Sequence, residues 1–276
     1  MYIRQPANPR DFESYTTERT REEFLVQDLF VPGTLQLTYS HIDRMVIGGA
    51  CPEQSLELEG GSELGTSYFL ERRELGIINV GGSGSVQADG ESFDLEKNDG
   101  MYIGRGVKDV ILTSADTASP AHFYMLSGPA HHTYETRKIA ASEAESARLG
   151  TQEQCNVRVL NKYIHAGGAK SANLVMGMTE VEPGSVWNSL PPCHTHDRRM
   201  EVYLYYDLAD DAVLFHLMGE PERTRHIVVR NEEAVISPSW SIHAGAGTSS
   251  YRFIWGMVGD NQEFSDMDII GLERLG

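Results

Sequence analysis

The segment Pro191-Pro192-Cys193-His194-Thr195-His196-Asp197-Arg198-Arg199-Met200-Glu201 carries the densest chemistry in the chain. His194 and His196 stand two apart, so on a strand both imidazoles leave the same face. Glu201 follows five residues after His196, beyond a turn or bulge that can bring its carboxylate to the same point. Downstream, Ser237-Pro238-Ser239-Trp240-Ser241-Ile242-His243 sets a third histidine at the start of a strand. Imidazoles and one carboxylate are a typical donor set for a divalent transition metal. A lone His-x-His pair says little. The ordered set, with a hairpin between its halves, says much more. Cys193 adjoins His194, but on a strand its side chain faces the other way, as a buried thiol.

Outward from that segment the pattern is β. After Gly150, strands are expected at 158–163, 174–182, 201–206, 212–217, 225–229, 234–236 and 252–256. Before it, short runs at 34–39, 44–47, 67–70, 75–80, 83–88, 101–103, 110–113 and 122–126 are punctuated by glycine. Asp89-Gly90 is a two-residue hairpin turn between Ser85–Ala88 and Ser92–Leu95. Gly81-Gly82-Ser83-Gly84 reads as a hairpin turn and not a phosphate loop, because no Lys-Ser/Thr and no helix start follow. Many short strands with little helical periodicity predict a sandwich or barrel. A short helix is expected near 14–24, and residues 135–150, rich in Ala and Glu, read as a helix or linker.

The halves resemble each other. Glu71-Arg72-Arg73-Glu74 leads into a strand as Asp197-Arg198-Arg199-Met200-Glu201 does, and Lys97-Asn98-Asp99-Gly100-Met101 matches Arg230-Asn231-Glu232-Glu233-Ala234. Such self-similarity predicts an internal duplication. It gives an N-terminal barrel with its lead-in over 1–134, a linker over 135–150, and a C-terminal barrel over 151–276.

Composition narrows the function. The 276 residues carry 23 Lys or Arg against 40 Asp or Glu, a formal charge of −17. That balance opposes a phosphate-tracking nucleic-acid binder and an anionic membrane surface. A small anionic substrate stays compatible, because local arginines can set the field inside one pocket. No apolar run is long enough to span a bilayer. Cys51, Cys155 and Cys193 are odd in number and in no CxxC pairing, which points to a reducing, cytoplasmic setting.

Gly184…His194-x-His196-x4-Glu201 followed by Pro238-x-Trp240-x-x-His243 resembles the two cupin motifs, with Trp240 where the second motif usually has glycine. The resemblance implies an antiparallel jelly-roll barrel with a metal in its mouth. With the duplication, it implies a bicupin. In the first half the ligand places are filled by Leu70 or nearby apolar residues and by about Lys108-Asp109, so that half is expected to be metal-free. Further phrases sharpen the likeness: Tyr39-Ser40-His41-Ile42-Asp43-Arg44, Ser67-Tyr68-Phe69-Leu70-Glu71-Arg72-Arg73-Glu74-Leu75-Gly76 and Trp255-Gly256-Met257-Val258-Gly259. Together with the ligand segments they resemble the 5-keto-4-deoxyuronate isomerase family. That resemblance implies an aldose–ketose isomerase of pectin breakdown. It implies one Zn2+ per chain on His194, His196, Glu201 and His243, and a hexamer.

The implied keto-uronate substrate carries a carboxylate, for which a guanidinium is the natural partner. Arg198 and Arg199 lie between ligands, so one should point inward and the other outward. Arg199 or the first-half Arg72 is the expected substrate-binding residue, and the catalytic base is not assigned by sequence. Two other classes fit the same donor set. One is a metal oxygenase, since three histidines and a glutamate also hold iron or manganese. The other is a non-catalytic sugar-binding cupin.

Overall fold

The computed structural model describes residues 1–60 and 62–276. The chain divides into two compact units. Met1–Ile3, Asp28–Glu145 and Tyr163–Val175 form the first; Arg4–Gln27, Ser146–Lys162 and Met176–Gly276 form the second.

The first unit is built on a seven-stranded sheet in the order Tyr2–Arg4, Thr34–Ser40, Val46–Cys51, Phe123–Pro129, Arg73–Asn79, Gly100–Ile103, Arg137–Ile139. A four-stranded sheet runs Leu56–Glu57, Val110–Ser114, Gly84–Ala88, Glu91–Leu95. Val46, Ile77, Val86, Leu112, Phe123 and Met125 are buried in one apolar cluster drawn from both sheets. The expected Asp89-Gly90 hairpin is present: Ala88 pairs Glu91, and Asp89 and Gly90 take φ of 46° and 90°. Both values lie in the left-handed region that a primed two-residue turn requires.

The second unit repeats this order strand for strand. Its seven-stranded sheet runs Glu145–Leu149, Arg158–Ile164, Val175–Val181, Arg252–Gly259, Arg199–Tyr206, Glu233–Ser237, Leu25–Val26. Its four-stranded sheet runs Trp187–Asn188, Ile242–Gly247, Leu214–Gly219, Arg225–Val229. Arg199–Tyr206 is central, paired to a neighbour on each side, and buried along its whole length. Its odd-numbered side chains share one face and its even-numbered ones the other.

Three expectations are corrected. Residues 135–150 are not a helix but a strand (Arg137–Ile139), a 3-10 turn (Ala141–Glu143) and an exposed strand (Glu145–Leu149). Helix propensity yields there to tertiary pairing: Arg137 and Ile139 pair with Tyr102 and Gly100. Lys138 Nζ sits 2.7 Å from the Asp99 carboxylate, which also accepts from the Ala141 N–H at 2.9 Å. Second, the boundary at 134 does not separate the units. Residues 4–27 belong to the second unit because their apolar residues are used there. Phe12 and Phe24 pack on Trp240, and Leu25 and Val26 pair with Val235 and Ala234. The helix expected near 14–24 is Thr17–Phe24, capped by Thr16. Third, Gly81–Ser83 joins strands of different sheets and is no hairpin turn. A Cβ on Gly82 would meet the Ser119 carbonyl oxygen at 2.0 Å, so glycine is needed for that close passage.

Candidate metal centre

Each ligand residue reaches the site from a different piece of the second unit. His194 lies on the two-residue strand His194–Thr195, which pairs with Asp268–Ile269. His196 lies just past that strand, before the turn into Arg199–Tyr206. Glu201 is the third residue of Arg199–Tyr206, opposite Ser237 and Met257. His243 is the second residue of Ile242–Gly247, opposite Met218. One donor atom from each lies within 4.8 Å of the others, and all four residues are buried. They are the one such cluster of His, Cys, Asp or Glu among the described residues.

The hydrogen bonds fix the tautomers. His194 Nδ1 lies 2.9 Å from the Pro192 carbonyl oxygen, and His196 Nδ1 2.9 Å from that of Asp266. A carbonyl only accepts, so both Nδ1 atoms carry the proton and both Nε2 atoms present bare lone pairs. His194 Nε2 is 3.0 Å from His243 Nε2. Glu201 Oε2 is 2.9 Å from His243 Nε2 and 3.3 Å from His196 Nε2, and makes no hydrogen bond. Converging buried lone pairs are costly unless something positive lies among them. Donors about 3 Å apart also match the spacing set by bonds of about 2.0–2.2 Å to one ion. The residues therefore fit a metal ion, and the cluster could hold one.

Charge and burial agree with this. Burial, then repulsion from His243 and His196, pull His194 down to about 3, so its imidazole stays neutral and free to ligate. Glu201, buried among the rings, is the site's one carboxylate.

His194, His196 and Glu201 line a cleft with about 610 Å³ of empty space, part of it open to solvent; His243 lies behind them and does not line it. Its walls are mostly apolar: Leu149, Leu160, Phe253, Trp255, Met257, Phe264 and Met267. Tyr203, on the same strand face as Glu201, and Ser189 also line it, with their hydroxyl oxygens 3.3 Å apart. So does Arg158, at the start of Arg158–Ile164, a position that no motif or spacing singles out.

The expected substrate arginines lie elsewhere. Arg199 does turn inward and Arg198 outward, as alternation required. Arg199, however, is only 1% exposed and does not line the cleft. Its Nη2 donates at 2.7 Å to the same Asp266 carbonyl oxygen that accepts from His196 Nδ1, so it braces the ligand through that shared acceptor. Arg198 is held by the carboxylates of Asp266 and Asp268. Arg72 belongs to the first unit, is largely exposed beside Glu71, and does not line the cleft. Cys193 is buried against Ile242 and Ile270, as expected.

In the first unit the strand matching Arg199–Tyr206 is Arg73–Asn79. Leu75, opposite Ser127 and Ile103, takes the register place of Glu201. Val110, opposite Ala88, takes that of His243. The expected positions, Leu70 and Lys108-Asp109, lie within a few residues of these. Leu75 and Val110 are core residues with no ligand atom.

A model of the KduI/IolB family matches residues 24–270. The chain belongs to that family. Relatives named 4-deoxy-L-threo-5-hexosulose-uronate ketol-isomerase align over the full length of both chains. That of Lachnoclostridium phytofermentans is 55% identical over 276 residues, and that of Caldicellulosiruptor bescii 51%. The relative of that name from Shigella flexneri is 49% identical over 278 aligned residues, with both chains fully covered. The protein is accordingly an enzyme of the isomerase class. Among solved structures, an IolB-like protein from Salmonella typhimurium LT2 superposes with a TM-score of 0.65 at 15% identity, covering 79% of this chain and 85% of its own. An oxalate decarboxylase from Lactobacillus farciminis superposes at 0.55 and 10% identity, covering 83% and 80%. These likenesses fix the fold as cupin-like.

Proposed function

We propose that this member of the KduI/IolB family is a zinc-dependent aldose–ketose isomerase. It converts 5-dehydro-4-deoxy-D-glucuronate to 3-deoxy-D-glycero-2,5-hexodiulosonate in the breakdown of pectin and other uronates. The observation that carries the chemistry is the convergence of three imidazoles and the Glu201 carboxylate within 4.8 Å of one another, beside a cleft that His194, His196 and Glu201 line. The substrate rests on the full-length relatives named for it.

The reaction moves one proton from the hydroxyl-bearing carbon to the neighbouring aldehyde carbon, and a second from that hydroxyl to the aldehyde oxygen. No electron donor or acceptor is needed, and the difficulty is the enediolate between the two forms. A divalent ion, when bound, supplies a Lewis acid for the oxygen that becomes negative. The chain sets the conditions for it. Neutral imidazoles and one carboxylate leave a net charge of +1 at the site. Pro192 and Asp266 carbonyls hold two of the rings in the ligating tautomer. The apolar walls offer few groups to hold water beside the enediolate. Ser189 and Tyr203 put hydroxyls within the cleft for the sugar oxygens.

The reading includes one zinc per chain, carried by the second unit, in a bicupin that arose by duplication. The repeated strand order supports the duplication, and Leu75 and Val110 in the ligand places support the single site. It also includes a hexamer, as the family resemblance implies, and a cytoplasmic setting. None of the three cysteines is bridged, and no helix among the described residues is long and apolar enough to cross a membrane. Light scattering that gave a monomer at micromolar concentration would remove the hexamer. The functional test is turnover in heavy water: solvent deuterium on the new carbinol carbon supports the enediol route. A product without deuterium contradicts that route, and no product from the zinc-loaded protein contradicts the function.

A further inference from the structure

The cleft holds a cation without a counter-ion. Arg158 is half-buried among the lining residues. Its Nη1 donates to the Asn156 carbonyl oxygen at 2.9 Å, and no carboxylate pairs with it among the described residues. Other arginines of the same unit are treated differently. Arg198 is bound to Asp266 and Asp268, Arg252 to Glu180 and Asp207, Arg148 to Glu182, and Arg274 to Glu222. Arg21, Arg199, Arg225 and Arg230 are likewise held by carbonyl oxygens, but Arg158 is the arginine that lines the cleft beside His194, His196 and Glu201. Keeping it there has a cost, since burial pulls its guanidinium below the ordinary value.

The substrate side presents the complementary problem. A carboxylate entering walls of Leu149, Leu160, Phe253, Trp255, Met257 and Phe264 loses water and needs a charged partner. The overall field of a chain at −17 does not help an anion enter. Arg199, which stands between ligands in sequence, donates to the Asp266 carbonyl oxygen and does not line the cleft.

We propose that Arg158 binds the carboxylate of the substrate, and that this contact decides which end of the sugar acid reaches the His194/His196/Glu201/His243 centre. The proposal rests on the isomerase reading, and extends it to a specificity residue. Neutral sugars of the same length lack the partner and are bound poorly. A planar guanidinium with free donors can take both carboxylate oxygens, which fixes orientation as well as charge.

The test uses R158Q and R158K in the full-length, zinc-loaded protein. Two ligands are compared: the keto-uronate, and an analogue whose carboxylate is replaced by a primary alcohol. R158Q is expected to raise KM for the keto-uronate about 10- to 100-fold, the range of a charge-assisted hydrogen bond. It should leave KM for the alcohol analogue within about twofold, with R158K between. Zinc content and melting temperature, measured on each variant, separate this from a folding defect; if R158Q does not fold, R158K alone must show the same split. An equal loss on both ligands, or an unchanged KM for the keto-uronate, overturns the proposal. Binding of D-galacturonate against D-galactose, followed by calorimetry, gives a readout independent of turnover. A wild-type protein that prefers the uronate, loses the preference in R158Q, and yet isomerises nothing would sink the isomerase reading while leaving Arg158 as the carboxylate site. If the uronate preference survives in R158Q, the Arg158 assignment fails, whatever the turnover.

Discussion

His216 offers a sharp test of the packing beneath the site. It is fully buried on Leu214–Gly219, with Nδ1 2.7 Å from the Tyr205 hydroxyl and Nε2 3.5 Å from Ser237 Oγ. Burial, and then His243, push it down to about 3. In the unfolded chain an imidazole titrates near 6.5. Between these values the unfolded state binds a proton that the folded state refuses, so stability falls as pH drops through this window. At pH 5 the difference is about 1.5 pH units below the unfolded value, or roughly 2 kcal/mol from this one residue. The figure does not depend on the exact folded value, provided it lies well below 5. The perturbation is His216→Gln, which keeps a polar partner for Tyr205 and removes the titration. Urea unfolding of metal-stripped wild type and variant at pH 7.5 and 5 gives the difference of differences. The variant should lose about 2 kcal/mol less than wild type on acidification, whatever its stability at pH 7.5. Equal losses would mean that His216 is protonated in the folded protein, and the account of it as a neutral buried ring would be wrong.

Other outcomes follow from the same geometry. His243→Ala removes the ring that approaches both His194 Nε2 and Glu201 Oε2. It should weaken zinc binding by more than about 100-fold, the upper range for loss of a mere orienting partner; equilibrium dialysis that recovered full metal would contradict the ligand set. Gly177→Ala would place a Cβ 2.2 Å from Trp255 Cζ2 and 2.4 Å from the Asn161 carbonyl oxygen. Since Trp255 lines the cleft, the variant should lose about 1–3 kcal/mol in urea unfolding and raise KM; unchanged values for both would show that the wall yields freely. Arg199→Ala should act mainly on zinc retention through His196, whereas R158Q acts on KM with zinc content unchanged. The opposite pattern would restore Arg199 as the substrate residue.

That His194, His196, Glu201 and His243 come together was legible because their spacing obeys local rules. Two histidines two apart, a strand opening at Glu201 and a histidine at the start of a strand some forty residues downstream need no knowledge of distant contacts. The Asp89-Gly90 turn was legible for the same reason: both residues tolerate positive φ. What could not be read depends on non-local partners. The segment 135–150 has helical composition, yet the free edge of Gly100–Ile103 and the Asp99 carboxylate recruit it as a strand. Residues 4–27 join the second unit through Phe12 and Phe24, which pack on Trp240 more than 200 residues away in sequence. The inward turn of Arg199 follows from alternation, but its destination does not. The Asp266 carbonyl comes from a loop some 67 residues later and captures the guanidinium before it can reach the cleft. Arg158 is one arginine in an ordinary strand, Arg158-Val159-Leu160-Asn161-Lys162-Tyr163, and only the fold shows that it faces the metal site's cleft.

The central claim is that the four converging side chains hold a metal that the isomerisation requires. Its most direct test is a titration: strip the protein with a chelator, add back zinc in steps, and follow conversion of 5-dehydro-4-deoxy-D-glucuronate to the ketose. The account predicts no turnover in the stripped protein and a rate that rises linearly to a plateau at one zinc per chain. Full turnover without metal, or none at any zinc content, would contradict it.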